Sequence, residues 1–277
     1  MPTSSEAIAA IARHELRATL GGKLVPAFGV LFAALAVGIA LAGLGASGAL
    51  LVQGFQRTSV SLLMLSLYLL PLLGLVLGAS AFGAEDGGTE LLLAQPIGRL
   101  EALLGRVAGL GAALASVALA GFGVAGVLIA LTAGWAGAGG YVLVSLGALL
   151  VGLVGLGVGV LVGTLTRRRS AAVGWALAAW FAASVLYDLA AIGILQLAGS
   201  GEPGPWLVAL LAFNPIDGVR ALGLVGLGAD VLLGPTGASL QRMLGPGGGA
   251  AWVLGSAGLW LVAPLAAAAF VYARRDF

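Results

Sequence analysis

The sequence predicts an all-α integral membrane protein with six transmembrane helices, and three observations support this fold class. Of its 277 residues, 60% are hydrophobic and 9% are charged, whereas soluble domains carry about 25% charged residues. The apolar runs extend over about 20 residues, which is the length that crosses a bilayer as a helix. They lack the alternation of barrel strands, so helices must satisfy the backbone polar groups within lipid.

Six apolar runs are the predicted spans of a single transmembrane domain, residues 1–277. They cover residues 24–44, 60–84, 103–133, 141–165, 171–197 and 250–272. The first run could be a cleaved signal peptide. We interpret it as a retained helix, because it is long enough to span and because 23 residues that include Glu6 and Glu15 precede it.

The basic residues predict the orientation. With these six spans, ten of the 13 basic residues lie on one side of the membrane, and Arg57, Arg220 and Arg242 lie on the other. Because cytoplasmic loops are enriched in Lys and Arg, the sequence predicts that both termini are cytoplasmic. The ten are Arg13, Arg17, Lys23, Arg99, Arg106, Arg167, Arg168, Arg169, Arg274 and Arg275.

The external loop of residues 199–249 contains a segment apolar enough to suggest a seventh span. Its polar residues would be costly at the bilayer centre, so we interpret it as a re-entrant or interfacial pair of short helices before helix six. Asn214 suits an N-cap, Pro215 suits the first helical position, and Asp217 lies where a capping carboxylate would. Arg220 follows on the same predicted helix.

The N-terminal residues 5–20 form an amphipathic pattern, which predicts a helix lying along the inner membrane surface. A frayed basic tail is the alternative. The apolar face would carry Ile8, Ile11, Ala12, Leu16 and Leu20.

Asp188 is the acidic residue that lies well inside a predicted span. It could couple substrate or protons to motion, or it could be protonated or satisfied by a neighbouring hydroxyl. We expect the second, because no basic residue is predicted at a similar depth.

Glycines at a spacing of four predict close helix packing in the fourth span. Gly155, Gly159 and Gly163 would give that helix one flat face, on which a neighbouring helix can approach closely.

Catalysis by this chain is not expected. There is no cysteine, there is one histidine, His14, and the sequence lacks a phosphate-binding P-loop. We therefore predict no catalytic residue, no metal site and no cofactor bound by this chain.

The loop of residues 85–102, after helix two, is the predicted contact with another protein. It begins with an acidic, glycine-rich segment and continues into a short apolar helix, which needs a partner surface in a cytoplasmic loop. The alternative is that its leucines lie on the membrane interface. The candidate residues are Glu85, Asp86, Gly87, Gly88, Thr89, Glu90, Leu91, Leu92, Leu93, Pro96 and Arg99.

Residues 85–99 resemble the signature of ABC-2-type permeases, the membrane subunits of ABC transporters. The resemblance implies six helices, an N-terminal interfacial helix, a cytoplasmic coupling helix and short external helices before helix six. It also implies a dimer in the cell inner (plasma) membrane that binds two copies of a separate ATPase subunit. ATP and magnesium would be bound by that ATPase.

Further stretches resemble one subfamily, the permease of a copper-processing system that matures nitrous oxide reductase. They are Ile11 to Leu16, residues 31–40, residues 85–106, and Asn214 to Asp217 with Arg220. This resemblance implies a periplasmic protein as a possible partner on the external face.

Copper itself is not expected to cross through these helices. Copper(I) prefers methionine, cysteine and histidine ligands, and the predicted spans contain Met64 alone. We expect this subunit to transmit ATP-driven motion. The alternatives are an exporter of apolar, lipid-like or drug substrates, and a secondary transporter that uses Asp188.

Overall fold

A computed structural model describes residues 4–45, 51–83, 98–135, 137–197, 209–211, 213–229 and 248–274. These residues are helical apart from short turns, so the all-α fold class is confirmed. The helices are α1 (Ser4–Gly21), α2 (Leu24–Gly45), α3 (Leu51–Phe82), α4 (Arg99–Ala133), α5 (Ala138–Leu165), α6 (Arg169–Phe181), a π-helix (Ala182–Leu186), α7 (Tyr187–Leu197), α8 (Pro215–Gly226) and α9 (Gly248–Arg274).

Within the described residues, six helical segments are long and apolar enough to cross a membrane, which confirms the predicted number. They are Leu24–Gly43, Gln56–Phe82, Arg99–Leu131, Ala138–Leu165, Arg169–Ile194 and Gly248–Arg274. The fifth span consists of α6, the π-helix and α7, which follow one another without a break.

The centre of the fold is the contact between α3 and α5, and it depends on the predicted glycine face. A Cβ atom at Gly155 would lie 2.5 Å from the Pro71 carbonyl oxygen, and one at Gly163 would lie 2.9 Å from the Ala79 oxygen. A Cβ at Gly159 would collide with the Leu75 carbonyl oxygen. The flat face on the fourth span is therefore confirmed, because only glycine lets the two backbones approach this closely.

The fifth span is the least buried of the six. Along it, the buried residues are Ala172, Ala176 and Ser184. Its middle turn is a π-helix, in which the Tyr187 N–H donates to the Ala182 oxygen, five residues earlier. Such wide turns occur mostly as single insertions in α-helices and frequently at functional sites.

The short helix α8 begins deep in the bundle and ends near the start of the second span. Its N-cap is Asn214, whose side chain accepts a hydrogen bond from Ile216 N, and Pro215 occupies the first position, as predicted. At its other end, Gln56 Nε2 donates to the Leu227 oxygen over 2.8 Å. That α8 is re-entrant stays a prediction. Residues 199–208, 212 and 230–247 of the external loop lie outside the described residues.

Candidate functional site

Most of the predicted coupling loop lies outside the described residues, which stop at Gly83 and resume at Gly98. The assignment of a coupling role to this loop therefore stays a prediction. The affected residues are Glu85, Asp86, Gly87, Gly88, Thr89, Glu90, Leu91, Leu92, Leu93 and Pro96. Arg99 is described, and so are the two helix ends from which the loop leaves and to which it returns.

Arg106 joins three helices at the point where the loop leaves α3. Its Nη2 donates to the Ala81 oxygen over 2.7 Å, and its Nε donates to Glu15 Oε2 over 3.3 Å. The guanidinium also lies 4.7 Å from the centre of the Phe82 ring. We call Glu15, Ala81, Phe82 and Arg106 the junction, because they connect α1, α3 and α4.

The junction is well shielded, with 12% of the Arg106 side chain and 17% of the Glu15 side chain exposed. A charge-assisted hydrogen bond is stronger than a neutral one, and it is screened less by salt when its groups are shielded. The pairing of Arg106 with Glu15 was not predicted from the sequence. The feature of the sequence that points to this pair is Arg106 itself. It lies one to two turns inside a span, where a charged side chain needs a partner.

Helix α1 is held against α4 by two glycines of α4. A Cβ at Gly105 would lie 2.7 Å from Ile11 Cβ, and one at Gly109 would lie 2.6 Å from the Ala12 oxygen. Ile11 is buried in this contact, so part of the predicted apolar face packs on protein. That α1 lies along a membrane surface stays a prediction.

The end of α9 is tied to both sides of the loop. The Tyr272 ring meets the Phe82 ring edge to face, with 6.1 Å between the centroids. Arg99 Nη1 donates to the Ala273 oxygen over 3.0 Å. The last turn of α9 thus contacts both Phe82, at the end of α3, and Arg99, at the start of α4.

A second polar site lies near the middle of the bundle. Arg220 Nη1 is 2.8 Å from Asp217 Oδ1 and 3.3 Å from Asp188 Oδ2, and its Nη2 is 3.5 Å from the Tyr68 hydroxyl. Asn214 Nδ2 donates to Asp217 Oδ2 over 2.9 Å. We call Tyr68, Asp188, Asn214, Asp217 and Arg220 the polar cluster, which brings the predicted external residues onto the fifth span.

One expectation about these residues was wrong, and another holds for the position alone. Asp188 has a basic partner, Arg220, because α8 extends to the depth of this carboxylate. Asp217 lies in the first turn of α8, as predicted, but the Asn214 backbone N–H donates to the Leu210 oxygen. Its carboxylate binds the Asn214 side chain and Arg220.

The π-helix supplies a further acceptor to this site. Because the Tyr187 N–H bypasses the Ala183 oxygen, that carbonyl can accept from Asn214 Nδ2 at 2.8 Å. The Tyr187 hydroxyl donates to the Leu210 oxygen, just before α8, over 2.6 Å. This π-helix was not predicted from the sequence, because a single wide turn produces no distinct pattern in an apolar helix of small residues.

Metal binding finds no support in the described part of the chain, where no group of three or more His, Cys, Asp or Glu residues is close enough to hold an ion. Met64 packs with a cluster of buried apolar side chains that includes Leu63 and Val219.

Comparison with known proteins gives one family and two relatives. The family model described as ABC-2 family transporter protein matches residues 9–277. A protein named "Probable ABC transporter permease protein NosY" from Stutzerimonas stutzeri is 37% identical over 244 residues, which are 80% of this chain and 87% of the relative. A Pseudomonas aeruginosa protein of the same name is 37% identical over 274 residues, covering 96% of this chain and 97% of the relative.

Proposed function

This chain belongs to the ABC-2 family of transporter proteins, as a membrane permease subunit of an ABC transporter, and we propose that it converts ATP-driven movement of a separate ATPase into movement of its external face. In this proposal two ATPase copies bind ATP and magnesium and press on residues 85–99 and on α1. A second copy of the chain completes the complex. The termini are cytoplasmic, in the inner membrane, with ten basic residues on that side.

The observation that carries this proposal is the junction at the base of the loop. Arg106 binds the last turn of α3 through the Ala81 oxygen and binds α1 through Glu15. A packed, hydrogen-bonded contact transmits displacement because it cannot deform continuously. In this proposal, the junction carries displacement of the loop into α1, α3 and α4.

We expect replacement of Leu91, Leu92 and Leu93 by serine to abolish coupling to the ATPase. The loop would lose the apolar surface that fits a partner's groove, while insertion of the six spans would be unaffected. The measurement is copurification of the ATPase and stimulation of its activity in membranes. Leu165→Ser is the control, since Leu165 is an exposed apolar residue at the end of α5 and lies outside the loop of residues 85–102. Normal stimulation in the triple variant would refute the coupling role.

We expect Arg106→Gln to lower ATPase stimulation about tenfold while leaving ATPase copurification intact. The variant loses the charged donor to Glu15 and Ala81, which costs about 1.5 kcal/mol for a charged hydrogen bond. Arg106→Lys should restore part of the effect. Arg167→Gln, an exposed arginine at the same end, is the control. Full stimulation in Arg106→Gln would exclude the junction as the route of coupling.

For the biological role we propose copper-site maturation of nitrous oxide reductase. The support is the likeness to two proteins named NosY and the subfamily resemblance of the sequence. A transmitter that acts on a periplasmic partner fits better than a copper channel, because Met64 sits among apolar neighbours. Purification of the complex from the native host, followed by mass spectrometry, tests this role: a periplasmic partner favours the transmitter, and an ATPase alone favours export.

The exporter of an apolar, lipid-like or drug substrate remains the second candidate, favoured by the apolar surfaces of the spans. A secondary transporter is disfavoured, because Asp188 is paired with Arg220 and no other acidic residue was predicted inside a span.

A further inference from the structure

An apolar cavity of about 400 Å³ lies between α3, α5, the fifth span, α9 and the start of α8. This volume is in the range of small-molecule sites, roughly 300–1,000 Å³. It lies at the depth of the polar cluster, near the middle of the second span. Representative lining residues are Pro71, Val154, Val158, Ala183, Phe213 and Trp260.

The polar groups in the cavity wall are already bonded within the protein. The Asn214 amide binds the Ala183 oxygen, Asp217 and Ile216 N, and the Tyr187 hydroxyl donates to the Leu210 oxygen. Water in a cavity needs two to four polar partners, and apolar cavities therefore stay free of water. The cost of an unfilled void also increases with its volume. An apolar occupant satisfies both conditions.

Three aromatic rings form one side of the cavity. Phe213 stacks on Tyr187 of the fifth span, with 6.1 Å between centroids, and meets Trp260 of α9 edge to face at 5.9 Å. Phe213 is 65% exposed although it bridges two spans. The cavity is thus open at the surface of this membrane-spanning bundle, where lipid acyl chains are the apolar molecules at hand.

We propose that the cavity binds one acyl chain of a membrane phospholipid, which enters beside Phe213 between the fifth span and α9. The chain fills the space between Pro71 on α3 and Val154 on α5. Phe213 directly precedes the N-cap of α8, so a bound chain also contacts the helix that carries Arg220. This site does not depend on ATP coupling, because lipid can enter without nucleotide.

The test uses the full complex in nanodiscs that contain a phosphatidylethanolamine with a photoactivatable diazirine in its acyl chain, without nucleotide. We expect crosslinks in the lining segments of α3, α5 and the fifth span. Val158→Phe, which fills the cavity from a partly exposed position, should reduce this labelling about tenfold. A tenfold loss corresponds to about 1.4 kcal/mol of binding free energy, which the acyl chain loses when the added ring occupies part of its space. Val142→Phe on the exposed face of the same helix should leave it unchanged.

A second variant and a second probe keep the proposal open to refutation. Phe213→Ala, at an exposed ring, should increase labelling of the same segments because it widens the entrance. A free fatty acid with the same diazirine tests the other source of an acyl chain. Labelling by the fatty acid and not by the phospholipid would overturn the proposal, as would equal labelling in Val158→Phe and the unchanged protein.

Discussion

Replacing Arg220 by glutamine should lower the free energy of unfolding by about 3 kcal/mol, because it leaves two carboxylates without their cation. Arg220 lies 2.8 Å from Asp217 and 3.3 Å from Asp188, and 20% of its side chain is exposed. We place the effect at the lower end of the range for buried pairs, since 32% of the Asp188 side chain is exposed. The measurement is thermal unfolding of the purified protein in detergent.

The partner substitution separates pairing from simple loss of charge. Asp188→Asn should cost about 1 kcal/mol, since Arg220 keeps Asp217. The double variant should be more stable than the sum of the two losses implies, because contacting residues are not additive. Arg57→Gln, an exposed arginine on the same side of the predicted spans, is the control. An unchanged midpoint in Arg220→Gln would mean that the pair does not form. Full transport activity of Asp188→Asn would also remove the secondary-transporter alternative.

Replacing Gly159 by alanine should destabilise the fold by about 2 to 3 kcal/mol, the usual cost of overfilling a packed interface. The added methyl group would collide with the Leu75 carbonyl oxygen and lie 2.9 Å from the Leu75 Cα. Both are backbone atoms, so α3 and α5 must separate. The measurement is the fraction of protein that elutes as a single folded species after heating.

The control for this prediction is another glycine inside a helix, at which an added methyl group would contact no neighbouring residue. At Gly174 in α6, an added Cβ meets no atom within 4 Å. Gly174→Ala should therefore be neutral or stabilising by up to about 1 kcal/mol, because alanine favours helix more than glycine does. If Gly159→Ala lowers the stability and Gly174→Ala raises it, close packing at Gly159 is the cause of the loss. Equal, small effects would contradict the packing argument.

The glycine face of α5 shows what a local sequence pattern can predict and what it cannot. Gly155, Gly159 and Gly163 follow a spacing of four, which puts them on one side of α5 whatever they face. The sequence could not say that the opposing helix would be α3, with Pro71, Leu75 and Ala79 in contact. Partner choice depends on how all six spans pack.

Some of the candidate site residues could be predicted from the sequence, and others could not. Asn214, Pro215, Asp217 and Arg220 were singled out because polar residues in an apolar loop need a reason. The coupling residues were singled out by their apolar helix in a cytoplasmic loop and then by resemblance, and apart from Arg99 they lie outside the described residues. The junction was missed, because Glu15 and Arg106 are 91 positions apart.

By itself, the sequence determined the fold class and the number of spans, because crossing lipid requires about 20 consecutive apolar residues in a helix, a property of each segment alone. Only the tertiary structure decided that Arg220 meets Asp188, 32 positions away, and that Arg106 meets Glu15. Such pairs depend on the depth and rotation of separate helices. Packing sets these, and the order of residues along one helix does not.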